Sequence, residues 1–197
     1  WTIVYKKDYY LPDGTRRRTR EYTLFYNMLH RADVYSSSPK RQTYKDCEVS
    51  KNFRDYQFFA EWCNAQNGFL NKDENGDFWE LDKDILIKGN KLYSEDTCIF
   101  VPRKINSFFT KADSLRGSLP IGVTDCASRL NPYAANVTNP FTKGREYLGI
   151  FPTKESAFEA YKKGKHNIAV KLAALYKEEI SKEVYEVLVN YYPNIED

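Results

Sequence analysis

The sequence predicts an α+β protein of two small domains: a helical N-terminal module and a C-terminal three-stranded sheet packed on a long helix. Three observations predict it. Apolar side chains recur at three- and four-residue spacing around 22–29, 58–62 and 158–175, the period of a helix. Short, weakly alternating stretches bounded by Gly, Asn and Pro lie between these blocks, as strands and turns do. Residues from about 111 to 120 hold few large apolar groups but include Gly117, Ser118 and Pro120. That composition places a linker at 113–120, between domains at 1–112 and 121–197.

In chain order, the opening residues alternate around Asp13-Gly14, a strong turn signal, and predict extended segments on either side. A helix follows over about 19–32, with Tyr22, Phe25, Tyr26 and Leu29 on one face, and Ser36-Ser37-Ser38-Pro39 breaks it. Cys47-Glu48-Val49 reads as a short strand. A second helix over 55–65 turns Phe58, Phe59 and Trp62 to the core, and Asn67-Gly68 closes it. Residues 71–77 form a polar loop, 78–87 a strand and Lys88-Gly89-Asn90-Lys91 a turn. Ser94-Glu95-Asp96 starts a helix or a tight turn. The apolar run Cys98-Ile99-Phe100-Val101 ends at Pro102, and 103–110 forms one more short helix. Beyond the linker, 122–138 and 144–153 supply strands joined by a turn around Asn139-Pro140 and Gly144. Thr153 is a helix N-cap, with Ser156 at the third helical position instead of the usual Glu. Phe158, Tyr161, Ile168, Leu172 and Leu175 stripe that helix, and Ser181 caps another that carries Val184, Val187, Leu188 and Tyr191.

Composition narrows the function. Hydrophobic residues are 42% and charged residues 29% of the 197, which excludes a disordered chain. Charge-free runs are far shorter than a bilayer-spanning helix needs, so no membrane partner is expected. No basic-then-apolar leader opens the chain, and with Met28 the only methionine the start reads as processed or trimmed. Cys47, Cys63, Cys98 and Cys126 lie nowhere two to four residues apart, and His30 and His166 are the only histidines. This encodes no zinc knuckle or ribbon; the cysteines read as reduced, mostly buried residues of a cytosolic protein. No Cys-His pair stands ready to activate Cys98. Thirty Lys and Arg against 27 Asp and Glu leave a net charge of only +3, so their distribution must speak for any nucleic-acid partner. Arg16-Arg17-Arg18, with Arg20 nearby, is the densest basic run: a grip for backbone phosphates or a solvated turn. Lys162-Lys163-Gly164-Lys165-His166 adds a basic patch to the C-terminal helix.

Two segments carry a resemblance. LDKDILIKGNKLYSEDTCIFVPRKIN at 81–106, with the aromatic stretch at 22–62 before it, resembles phage-encoded proteins of the HNH or homing-endonuclease-like type. The C-terminal pattern of Gly122-Val123, YAANV and REYLGIFPTKESAFEAYKKGK resembles an APETALA2-type DNA-binding domain, which such proteins often carry behind the nuclease-like part. The first resemblance implies a ββα-metal-like module. Asp82, Asp84 and Asn106 would then hold a divalent metal, Mg or Mn, and Asp82, Lys83 and Asn106 would form the catalytic set. Lys83 stands where the nuclease pattern has His, and an ordinary lysine holds its proton at neutral pH and makes a poor base. On their own residues, Asp82-Lys83-Asp84 also reads as a solvated strand end and Asn90 as a turn residue.

The second resemblance implies a sheet laid into the major groove of double-stranded DNA. Period-two alternation sends Asn136 and Thr138 to one face and Tyr133, Ala135 and Val137 to the other. Asn136 could pair with adenine and Arg145 with guanine or a phosphate, while Arg129 and Lys143 border the strands. Together with Arg16, Arg17 and Arg18 these form the expected DNA-binding set. The function implied is a DNA-binding, HNH-endonuclease-like protein of the bacterial host cytoplasm that cleaves or nicks duplex DNA with a bound metal. The alternative is an inactive scaffold that binds or inhibits a host protein.

Overall fold

A computed structural model describes residues 3–35, 44–110 and 118–196. The fold is α+β, as the sequence predicts, and the chain divides into two compact units, Trp1–Pro102 and Arg103–Asp197. Residues 36–39 and most of the expected linker lie outside the described residues. The short helix after Pro102 belongs to the second unit.

The first unit opens with a hairpin, β1 (Asp8–Tyr10) against β2 (Arg16–Arg18), whose turn is held by Asp13 accepting from the Thr15 N–H at 2.8 Å. Thr19 caps α1 (Arg20–His30), accepting from the Tyr22 N–H. The chain then widens into a π-helical turn, Arg31–Tyr35. Phe25, Met28 and Ala32 face the core. Tyr26, expected in that core, is 43% exposed, because the buried stripe runs one residue to its side. β3 (Glu48–Val49) pairs in parallel with β5 (Leu92–Tyr93), and β4 (Glu80–Asp82) pairs antiparallel with β6 (Ile99–Val101). Asp55 caps α2 (Tyr56–Ala65), accepting from the Gln57 and Phe58 N–H groups. Tyr56, Phe59, Ala60 and Cys63 are its buried face, whereas Phe58 is exposed. The unit is held by an aromatic core in which Phe53, Phe59, Phe69, Trp79 and Phe100 are buried and several rings meet edge to face.

The second unit begins with α3 (Arg103–Phe109) and forms one antiparallel sheet in the order β7 (Val123–Asp125), β8 (Tyr133–Asn139), β9 (Gly144–Phe151). Thr153 and Ser156 form the reciprocal capping box of α4 (Lys154–Leu175), so serine does the work expected of glutamate. Phe158, Tyr161, Lys165, Ile168 and Leu172 are its buried stripe, while Leu175 lies exposed. The helix lies close on the sheet at Gly164, where a side chain would press on Leu148 and Val137. Ser181 caps α5 (Lys182–Val189), which buries Val184 and Leu188.

Candidate nucleic-acid interface

The sheet of the second unit has one packed and one open face, and the register decides which residue stands on which. Ala135 and Val137 are fully buried under α4, so the neighbours between and beyond them, Asn136 and Thr138, point the other way. Cross-strand partners share a face: Asn136 pairs with Tyr147 and Thr138 with Arg145. One extra residue of β9, Leu148, interrupts the ladder between the pairs Ala135–Gly149 and Asn136–Tyr147. This bulge hands Leu148 to the helix side and Tyr147 to the open side. The open face therefore carries Asn136, Thr138, Arg145 and Tyr147, the last 62% exposed. Glu146 lies on the opposite face, where its Oε2 accepts from the Asn139 amide at 3.2 Å. Its charge is thereby turned away from Arg145. Lys143 sits exposed in the β8–β9 turn with a left-handed backbone, φ 55°, and Arg129 is exposed in the β7–β8 loop. Of the expected DNA-binding residues, Asn136 and Arg145 thus share a surface, with Lys143 at its hairpin end.

Arg16, Arg17 and Arg18 make up β2 and are all exposed. Arg16 pairs with Asp8 at 2.6 Å, and the Arg18 guanidinium lies over the rings of Tyr22 and Tyr26. Arg20 is different: its guanidinium donates to the carbonyls of Phe69 and Trp79 at 3.0 and 2.5 Å and lies over the rings of Phe69 and Phe78. It is a brace of the aromatic core rather than part of the basic surface.

The acidic strand end resolves into a loop clamp. Asp82 Oδ1 accepts from the backbone N–H of Asp84 and of Ile85, at 2.8 and 2.9 Å, which bends the chain and ends β4 after three residues. The strand expected over 78–87 stops there. Lys83 is buried, with Nζ 3.2 Å from Asp84 Oδ2 and donating to the Asn90 carbonyl at 3.0 Å. The Asn90 amide donates back to the carbonyls of Lys83 and Leu92, both at 2.7 Å. Asp82, Lys83, Asp84 and Asn90 are therefore brought together, while Asn106 lies on α3 in the other unit. A divalent cation at the strand end would have to compete with these contacts. An ammonium already pairs with Asp84, and backbone N–H groups hold Asp82 Oδ1. No group of three His, Cys, Asp or Glu converges among the described residues.

Burial first, and the nearby Asp84 second, push the Asp82 carboxyl above its ordinary value. A carboxylate with a raised folded pKa is costly to ionise in the fold, so its contribution to stability grows as the pH falls from the raised value towards 3.8. Asparagine keeps the accepting oxygen and loses the charge. Asp82→Asn is accordingly expected to raise stability at neutral pH by about 1 kcal/mol and to flatten its acid dependence, read by denaturant unfolding.

Cys98 is buried, and burial pushes its thiol up to about 12, which suits core packing rather than nucleophilic attack. All four cysteines are free thiols. His166 is engaged by the Tyr191 carbonyl and the Tyr192 hydroxyl, and stacks on the Tyr192 ring with centroids 4.0 Å apart. Among the described residues no helix is long and apolar enough to cross a membrane.

Set against known proteins, the chain matches no described family and no solved structure. A stretch of 46 residues is 46% identical to part of an ethylene-responsive transcription factor of Arabidopsis thaliana. The likeness is to one segment. It covers 23% of this chain and 14% of the plant protein.

Sequence reasoning missed Tyr147 as a surface residue of the sheet. Alternation from Arg145, two residues earlier on β9, could have supplied it; what alternation cannot supply is the extra residue at Leu148, which decides how this pair stands relative to Gly149. It also missed a cleft in the first unit lined by Tyr26, Asn27, His30, Arg31, Tyr35 and Tyr44.

Proposed function

We propose that the protein binds double-stranded DNA through the open face of the β7–β8–β9 sheet. The observation that carries this reading is the placement of Asn136 and Arg145 on one open face, with Tyr147 across from Asn136 and Lys143 at the turn. Asparagine and arginine are the side chains that can each make two hydrogen bonds to a single base edge, to adenine and to guanine. The APETALA2-type resemblance of residues 122–165 and the segment similarity to a transcription factor support the same partner. Arg16, Arg17 and Arg18 offer phosphate contacts that add affinity without reading sequence.

Arg145→Ala and Asn136→Ala are each expected to weaken binding to the preferred duplex about tenfold, measured by fluorescence anisotropy, with thermal unfolding unchanged. Unaltered affinity in both variants would remove the sheet face from the interface. Lys143→Ala should weaken all duplexes alike and reduce the salt dependence of binding.

Cleavage is the finer reading, and the acidic strand end gives it little to work with. Lys83 is held as an ammonium partner of Asp84, and Asp82 is spent on closing a loop. Supercoiled plasmid should therefore stay intact with magnesium or manganese. Metal-dependent nicking that disappears in Asp82→Asn would restore these residues as a catalytic site.

A further inference from the structure

A cleft of about 300 Å³ opens beside the C-terminal end of α1, within the range of pockets that hold small organic ligands. It is lined by Tyr26, Asn27, His30, Arg31, Tyr35 and Tyr44, so nearly its whole wall is ring or planar polar group. A break in helix geometry makes it. Residues five apart on an α-helix face different ways, but the π-helical turn Arg31–Tyr35 brings Tyr35 back against His30, with ring centroids 4.5 Å apart. Tyr35 and Tyr44 then lie 5.8 Å apart, Tyr26 and His30 likewise 5.8 Å, and the Arg31 guanidinium lies over Tyr44. Tyr26 also joins the cleft to the basic strand, since the guanidinium of Arg18 lies over its ring, 4.8 Å from the centroid.

Aromatic rings beside a row of arginines are the pairing that single-stranded nucleic acids use: bases stack on the rings while cations follow the backbone. A flat ligand with both donors and acceptors on its edge suits the Asn27 amide, which offers both kinds of partner, while the Arg31 guanidinium is already held by the Tyr93 hydroxyl and supplies positive charge at the wall. We propose that this cleft binds an unpaired nucleobase of a single-stranded nucleic acid, with Arg18 on β2 taking the adjoining phosphate. The site lies wholly in the first unit and does not depend on duplex binding by the sheet of the second.

The test compares a short labelled oligothymidylate with an abasic strand of equal length, each titrated with the two-unit protein and followed by fluorescence anisotropy. The two strands carry the same backbone charge, so only the bases differ. The base-bearing strand is expected to bind about tenfold more tightly, and Tyr26→Ala should erase that preference. Asn27→Ala, at an exposed position with little to lose in packing, should reduce the preference at an unchanged melting temperature. Arg145→Ala, which disables the proposed duplex face, should leave it intact. Equal binding of the two strands by the unaltered protein, or a preference that survives Tyr26→Ala, would overturn the proposal and leave the cleft to a peptide.

Discussion

Replacing Gly122 by alanine is expected to destabilise the second unit by about 3 kcal/mol or more and to abolish its binding to duplex DNA. Two separate causes add. Gly122 has φ +79°, in the left-handed region where an L side chain costs about 1–2 kcal/mol. Its new Cβ would also fall inside the ring of Tyr161, a buried residue of α4 that has no room to retreat. Overpacking of this kind typically costs about 1–3 kcal/mol. The carbonyl of Gly122 accepts from the Asn136 N–H at 2.8 Å, so a displaced Gly122 disturbs the strand that carries the open face. Gly14 separates the two causes. It has nearly the same backbone angle, φ +82°, but nothing within reach of a Cβ, so Gly14→Ala should show the strain alone, about 1–2 kcal/mol. Calorimetry of both variants checks the difference. Equal melting temperatures would mean that the contact between Gly122 and Tyr161 contributes nothing.

What could be read before the structure, and what could not, follows one physical line. Signals carried by neighbouring residues were legible: the Thr153–Ser156 cap, the Asp13-Gly14 turn, and the two faces of β8 from the alternation of Asn136, Val137 and Thr138. Signals that depend on pairing were not. The bulge at Leu148 decides that Arg145 and Tyr147 join Asn136 and Thr138, and only the register shows it. Polar side chains that turn inward broke other expectations. The strand over 78–87 looked continuous by alternation, yet the Asp82 carboxylate ends it by capping two backbone N–H groups. The cluster to which the nuclease resemblance gives a metal folds as a clamp, with Lys83 between its acidic and carbonyl partners. The position of Tyr26 shows the same limit in a helix: it borders the stripe, but Phe25, Met28 and Ala32 are the residues that face the core, and only the packing shows it.

Lys165 was masked by its charge, although its place was in the pattern: Phe158, Tyr161, Ile168 and Leu172 are spaced so that 165 completes the stripe. It is 8% exposed, donates to the Phe108 carbonyl at 2.6 Å and lies 3.9 Å over the Phe108 ring, tying α4 to α3. Burial pushes its ammonium down to about 8, from 10.5 in an open chain. Between those values the unfolded chain binds the proton and the folded chain does not, so stability rises with pH across that window. Below about 8 both states are charged, and the fold bears the full cost of burying the ammonium. That cost is at most about 3 kcal/mol, and the carbonyl and the ring, which both favour the charged form, reduce it. Lys165→Met fills the same space without the charge but leaves the Phe108 carbonyl unpaired, which costs about 1 kcal/mol or more. The expected net result at neutral pH is a variant at least as stable as the original. The sharper readout is pH dependence: the gap in unfolding free energy between variant and original should narrow as the pH rises from about 8 to 10.5. A gap that stays constant across that range would mean that Lys165 reaches water in the folded protein and is not the buried tie between the two helices.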